Sequence, residues 1–223
     1  MKADIALSEV LSVLGHDLAN ELAAASLTTA MLRKLVTAGE SIDEGALADL
    51  EEVLATMRRK IECALGLRRL LDRSMRVSPS RFDGADVVAQ IAAAIGIAPE
   101  SAGGGRVDAD RGLVATALGG IAARAAFVSR AVTDIRVRVT TAGDDVRFSI
   151  EDSGPVEEVA RIESLLREAG CAIDHGSASI ELAFARMVAE LHGGRMAVGP
   201  ADAGGALISI TLPAADAAER TDT

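Results

Sequence analysis

Leu7, Leu11, Leu14, Leu18, Leu22 and Ala25 recur at spacings of 4-3-4-4-3 with no proline among them. This seam constrains the chain more than any other feature. It predicts one long helix over residues 4–38 with an apolar stripe of coiled-coil type. The segment "AGESIDEG" interrupts it, and Ser41 is a good N-cap for a second helix. Leu47, Leu50, Leu54, Met57, Ile61 and Ala64 predict that helix over 42–76. Two long helices with a short connection make an antiparallel hairpin. One hairpin has little core of its own. Two of them make a four-helix bundle, so a homodimer through residues 1–77 is expected.

"RVSPSRFDG" (76–84) reads as a linker into a second domain, residues 78–223. A helix over 83–97, the glycine-rich break "SAGGGRVDAD" and a helix over 110–130 open it. Strands "IRVRVTT" (135–141) and "VRFSIED" (146–152) flank the turn "AGDD", a hairpin signal. Helices over 156–169 and 179–192 come next, and the strands "RMAVG" and "ALISITLP" close the fold. The pattern is α+β: helices on one face of a mixed sheet, with residues 214–223 as a frayed tail.

A net charge of −10 argues against nucleic-acid and anionic-membrane partners. Four Phe and no Tyr or Trp leave no stacking platform for single strands. Residues 78–223 hold 21 acids against 13 bases, all 13 of them Arg, and no lysine occurs after Lys60. Cys63 and Cys171 have no metal-ligand spacing and read as reduced thiols in a cytoplasmic protein. Asp4 and Glu9 speak against a signal peptide, and the longest apolar run, Ile91 to Pro99, is too short for a bilayer.

Within "LGHDLANELA" (14–23), His16 falls about 160° from the leucine seam, at about 100° per residue. It therefore faces outward. Its helical neighbours Ser12, Ala19, Asn20 and Ala23 are small or short, which leaves room for a partner surface to press on the ring. Asp17 is placed to accept the imidazole Nδ1–H, leaving Nε2 as nucleophile. Asn20, one turn on, is placed to orient a water or a phosphoryl oxygen. His192 in "ELHGG" reads as a helix-end cap before Gly193, and His175 as a loop residue.

"GHDLANEL" resembles the phosphoacceptor box of two-component sensor histidine kinases, on the first helix of a dimerising hairpin where that box belongs. "VRFSIEDSGP" resembles the strand into the family's adenine-binding aspartate motif. "ELAFARMVAELHGGRMAVGPADAGGALISITLP" resembles its closing helix and two strands. The resemblance covers nearly the whole chain and implies an α/β sandwich like the kinase ATP-binding domain.

The nucleotide parts depart from that pattern. Arg124 stands where the family holds Mg²⁺ with an asparagine, and Phe127 where it has a basic residue. Asp152 and Gly154 are kept, but Val156 replaces a second glycine, and Ser179 and Glu181 occupy glycine positions of the lid. Those glycines let backbone N–H groups approach phosphate, and a glutamate there would repel it. Arg124 could meet a phosphate directly with its own charge. The combination resembles the ChpT-type histidine phosphotransferases, which are dimeric, built like a kinase core and do not use ATP. It implies His16, Asp17 and Asn20 as site residues, with no cofactor and no metal held by this chain. It implies response-regulator receiver domains as partners. An active or bifunctional sensor kinase/phosphatase is the alternative, and a receiver-binding scaffold without phosphate chemistry a third.

Overall fold

The periodic seams fold as long helices: α1 spans Leu7–Ala38 and α2 spans Glu44–Leu71, packed against each other as a hairpin. The computed structural model describes residues 7–39, 44–101, 104–167, 179–202 and 204–215. Ser41, Cys171, His175 and most of the C-terminal tail lie outside these described residues. Ala25 and Leu32 are buried in the hairpin, and Leu14 and Leu18 are half-buried. Leu22, Leu27, Met31, Val36, Leu47 and Leu54 are exposed. A single hairpin thus leaves much of its apolar surface uncovered.

Beyond the hairpin come β1 (Ser80–Asp83), α3 (Gly84–Ala94), β2 (Glu100–Ser101), β3 (Arg106–Ala109) and α4 (Arg111–Val128). A 3₁₀ turn at Val132–Asp134 leads into β4 (Arg136–Ala142), β5 (Asp145–Glu151), α5 (Glu157–Arg167), α6 (Ser179–Leu191), β6 (Arg195–Pro200) and β7 (Ala206–Pro213). The main sheet runs β2-β4-β5-β7-β6, antiparallel except for the β2–β4 pair. Its register stacks Val146, Phe148 and Ile150 of β5 beside Leu212, Ile210 and Ile208 of β7. This period-2 row is the buried face on which the helices lie.

The expected linker and glycine-rich break both contain strand. Phe82 of β1 pairs with Val107 of β3, and together these strands form a separate two-stranded sheet. Each is only four residues long, and each needs its distant partner to form.

Both helix starts in this region are capped by acids. The Asp83 side chain accepts from Ala85 N–H at 2.9 Å, and the Asp110 side chain from Leu113 N–H at 3.1 Å. α4 is long and apolar enough to cross a membrane, but Val114, Ala117, Leu118, Ile121, Ala122 and Ala125 are buried in the core. Its apolar length serves packing.

α2 does not stop at the domain boundary. Cys63, Ala64 and Leu67 belong to the same core as the α/β elements. Gly66 makes this possible: a Cβ there would lie 2.5 Å from the ring of buried Phe184 on α6. The hairpin is therefore seated on α6 at a fixed place. Burial, with the Glu181 carboxylate adding to it, pushes the Cys63 thiol up to about 12, so it stays protonated and unreactive at neutral pH.

Candidate functional site

His16 lies on α1 and its side chain is 55% exposed. The outward direction expected from the helical phase is the one observed. Ala19, Asn20 and Ala23 share its exposed surroundings. Asp17 points the other way, into the groove between α1 and α2, with a side chain only 11% exposed. Its Oδ1 nevertheless stands 3.5 Å from His16 Nδ1. The Asn20 amide stands 3.4 Å from the same nitrogen. The expected site residues are thus adjacent, and the tautomer decides between them. With Nδ1 protonated, the carboxylate is its ion-pair partner at 3.5 Å and Nε2 carries the lone pair. With Nδ1 bare, it accepts from the amide N–H.

The buried side of Asp17 holds a cation that was not expected from the sequence. Lys60 of α2 places Nζ 3.4 Å from Asp17 Oδ2 and donates to Glu21 Oε1 at 3.2 Å. Burial pulls the ammonium down, but the Asp17 and Glu21 carboxylates outweigh it and the net direction is up. A signal was available: Met57, Lys60, Ala64 and Leu67 recur at 3-4-3 spacing, so Lys60 occupies a core-facing position of an apolar seam.

The second cluster lies where the nucleotide parts were expected. Asp152, at the exit of β5, accepts from Gly154 N–H at 2.9 Å and from Ala206 N–H at 3.0 Å through Oδ1. Its Oδ2 accepts from Arg124 Nη1 at 2.6 Å. The Arg124 and Asp152 side chains are 1% and 2% exposed. Arg124 Nη2 lies 3.7 Å from Glu158 at the start of α5. The short contact of Arg124 is thus made to Asp152 through Nη1, while its Nε and Nη2 have no hydrogen-bond partner among the described residues. Neighbouring loops reinforce the pin, with Ser153 N–H donating to Ser129 Oγ and Ser153 Oγ donating to Asp134.

Glu181 also behaves differently from the expectation. It is buried on α6, and its Cβ would clash with a Cβ at Gly120, so that glycine makes room for it. With Lys60, Arg59 and Arg124 it lines a cleft of about 410 Å³ between α2, α3, α4 and α6. Burial pushes its carboxyl up, against its own backbone amide, Lys60 and Arg59. Phe127 and Val156 are exposed. His192 does more than end α6. Its Nδ1–H donates to the Val188 carbonyl at 2.8 Å, and its Nε2 accepts from Asp110 N–H at 3.0 Å, tying α6 to the start of α4. Gly193, at φ +70°, and Gly194 then close the helix end on the Glu190 and Ala189 carbonyls.

Residues 117–216 match the family model described as histidine kinase-, DNA gyrase B-, and HSP90-like ATPase. No curated protein sequence matches the chain. Among solved structures, the histidine kinase AdeS of Acinetobacter baumannii superposes with a TM-score of 0.62 at 17% identity, covering 90% of this chain and 98% of that one. Full-length ShkA, solved with AMPPNP, gives 0.55 at 19% identity over 94% of this chain and 46% of that one. The catalytic domain of the histidine kinase ThkA gives 0.50 at 17% identity over 61% and 96%. The first two likenesses extend across hairpin and sandwich, and the chain accordingly has the fold of those structures, a helical hairpin followed by an α/β domain of the histidine kinase ATP-binding fold.

Proposed function

We propose that this protein is a cytoplasmic phosphorelay histidine phosphotransferase that works without ATP. His16 accepts a phosphoryl group from the aspartate of one response-regulator receiver and passes it to a second. The observation that carries the reading is the contrast between the two clusters. His16 is exposed beside an acid and an amide, whereas Asp152 is sealed by Arg124 and two backbone amides. An enclosed acid with three of its about four acceptor positions engaged has little left to offer an adenine amino group.

In the transfer, Asp17 holds the Nδ1–H and Nε2 attacks phosphorus in line with the departing aspartyl oxygen. The P–O bond to the aspartate breaks as the N–P bond forms, and the reverse step delivers the group to the next receiver. Receivers bring the Mg²⁺ that neutralises the charge. Asn20 orients a phosphoryl oxygen or, in a dephosphorylating mode, a water. The exposed apolar residues of the hairpin, Leu22 and Leu54 among them, support pairing of two copies into a four-helix bundle.

The match of residues 117–216 to an ATPase family favours a second reading, an ATP-dependent kinase. Titration calorimetry with Mg-ATP separates the two. A dissociation constant above about 1 mM, equivalent to about 4 kcal/mol of binding, is expected. Tighter binding together with label on His16 from ATP alone would establish the kinase instead.

A further inference from the structure

Lys60 is the link between the hairpin site and the α/β domain. From α2 it reaches Asp17 at 3.4 Å and Glu21 at 3.2 Å, both on α1. It also lines the cleft beside Glu181 of α6 and its neighbour Arg59. We propose that Lys60 is the positioning residue of the His16 site, a cation that fixes Asp17 against the imidazole while lining the same cleft as Glu181, so that the α/β domain sets the orientation of the histidine through one lysine. The biological use of this arrangement rests on the phosphotransfer reading, but its geometry stands apart from that reading.

Asp17 is mostly buried, and a buried carboxylate stays in place only when a cation or donors hold it. Among the described residues, Lys60 is the cation within ion-pair distance of its Oδ2. Without it, Asp17 gains by rotating toward water, and the imidazole loses the acceptor that selects the Nδ1–H tautomer. Glu181 adds an independent observation. Its Oε2 is buried with no hydrogen-bond partner among the described residues, which costs stability, yet it lines the same cleft as Lys60, where α6 meets α2. A carboxylate there lies beyond ion-pair distance but adds its field to those of Asp17 and Glu21 at Lys60, from a different domain. The seat of the hairpin keeps these groups in register. Gly66, further along α2, lets Phe184 lock α6 onto that helix, so the lysine has a fixed distance to the domain. A domain unsuited to nucleotide thereby retains a task at the hairpin.

The test uses the full-length protein and imidazole ¹⁵N NMR, which needs no receiver. The wild type is expected to show His16 with Nδ1 predominantly protonated. Lys60→Met, with Lys60→Gln as a second variant in case of misfolding, should shift His16 toward the Nε2–H form. It should also slow acceptance from a phosphorylated receiver about tenfold, the scale of one charged hydrogen bond. Lys60→Arg should restore both. Glu181→Gln should move the tautomer ratio in the same direction as Lys60→Met, by less. If neither lysine variant changes the ratio while Asp17→Asn does, Lys60 does not position the site. If Glu181→Gln leaves the ratio unchanged, the α/β domain has no part in it. Failure of the wild type to accept phosphate would overturn the phosphotransfer reading and leave the NMR result to decide this one.

Discussion

Arg124→Met removes the guanidinium that closes Asp152 while keeping most of the side-chain volume. The carboxylate is then left in the core with the Gly154 and Ala206 amides and no adjacent guanidinium. Both partners are almost fully enclosed, so solvent cannot make good the loss. Breaking such a pair from one side costs about 3–5 kcal/mol. For a chain of this size that lowers Tm by about 6–20 °C, at about 2–4 °C per kcal/mol. Urea unfolding followed by circular dichroism should show a lower midpoint at constant slope. The double variant with Asp152→Asn should recover most of the loss, because the stranded charge has gone. A loss below about 1 kcal/mol for Arg124→Met, the value of an exposed ion pair, would refute the argument that this pair is a structural pin.

Glu181→Gln should stabilise the fold at pH 7 by about 1–2 kcal/mol, part of the cost of a buried unsatisfied charge, and thermal melts will read it. Because the Glu181 carboxyl is raised in the fold, its contribution is fully present below the ordinary value of 4.5 and is lost as pH rises through the higher folded value, so the wild type, not the variant, should lose stability on that rise. Gly66→Val should drive α2 from Phe184 and cost about 1–3 kcal/mol or more, with greater proteolysis at the hairpin–domain junction. Leu22→Asp with Leu54→Asp should convert a dimer to a monomer in light scattering; a wild-type monomer at micromolar concentration would contradict the bundle. Arg124→Asn should not create Mg-ATP binding in calorimetry, because Val156 and Glu181 remain.

Long periodic segments were the most legible part of the fold. The seams from Leu7 and from Leu47 place α1 and α2 within a few residues, because a helix shows its phase over many turns. The β4–β5 hairpin was visible from its alternation around "AGDD". β1 and β3 were not, since short strands owe their existence to distant pairing. At the site, the outward phase of His16 was readable from angle alone. The inward turn of Asp17 was not, because it depends on Lys60, which is distant in sequence. Arg124 and Glu181 were identified as departures, but the pairing of Arg124 with Asp152 and the burial of Glu181 in the cleft beside α2 come from tertiary placement that no local pattern encodes.

The central claim is that His16 carries a phosphoryl group obtained from a receiver. A purified receiver, phosphorylated on its aspartate and freed of ATP and of its kinase, is mixed with this protein. Transfer is followed by phosphate-affinity electrophoresis and mass spectrometry under neutral conditions. The account predicts an acid-labile, alkali-stable phosphoryl group on His16, absent from His16→Ala although that variant keeps the wild-type fold and melting temperature. Phosphate remaining on the receiver, or label of equal intensity on His16→Ala, would contradict it.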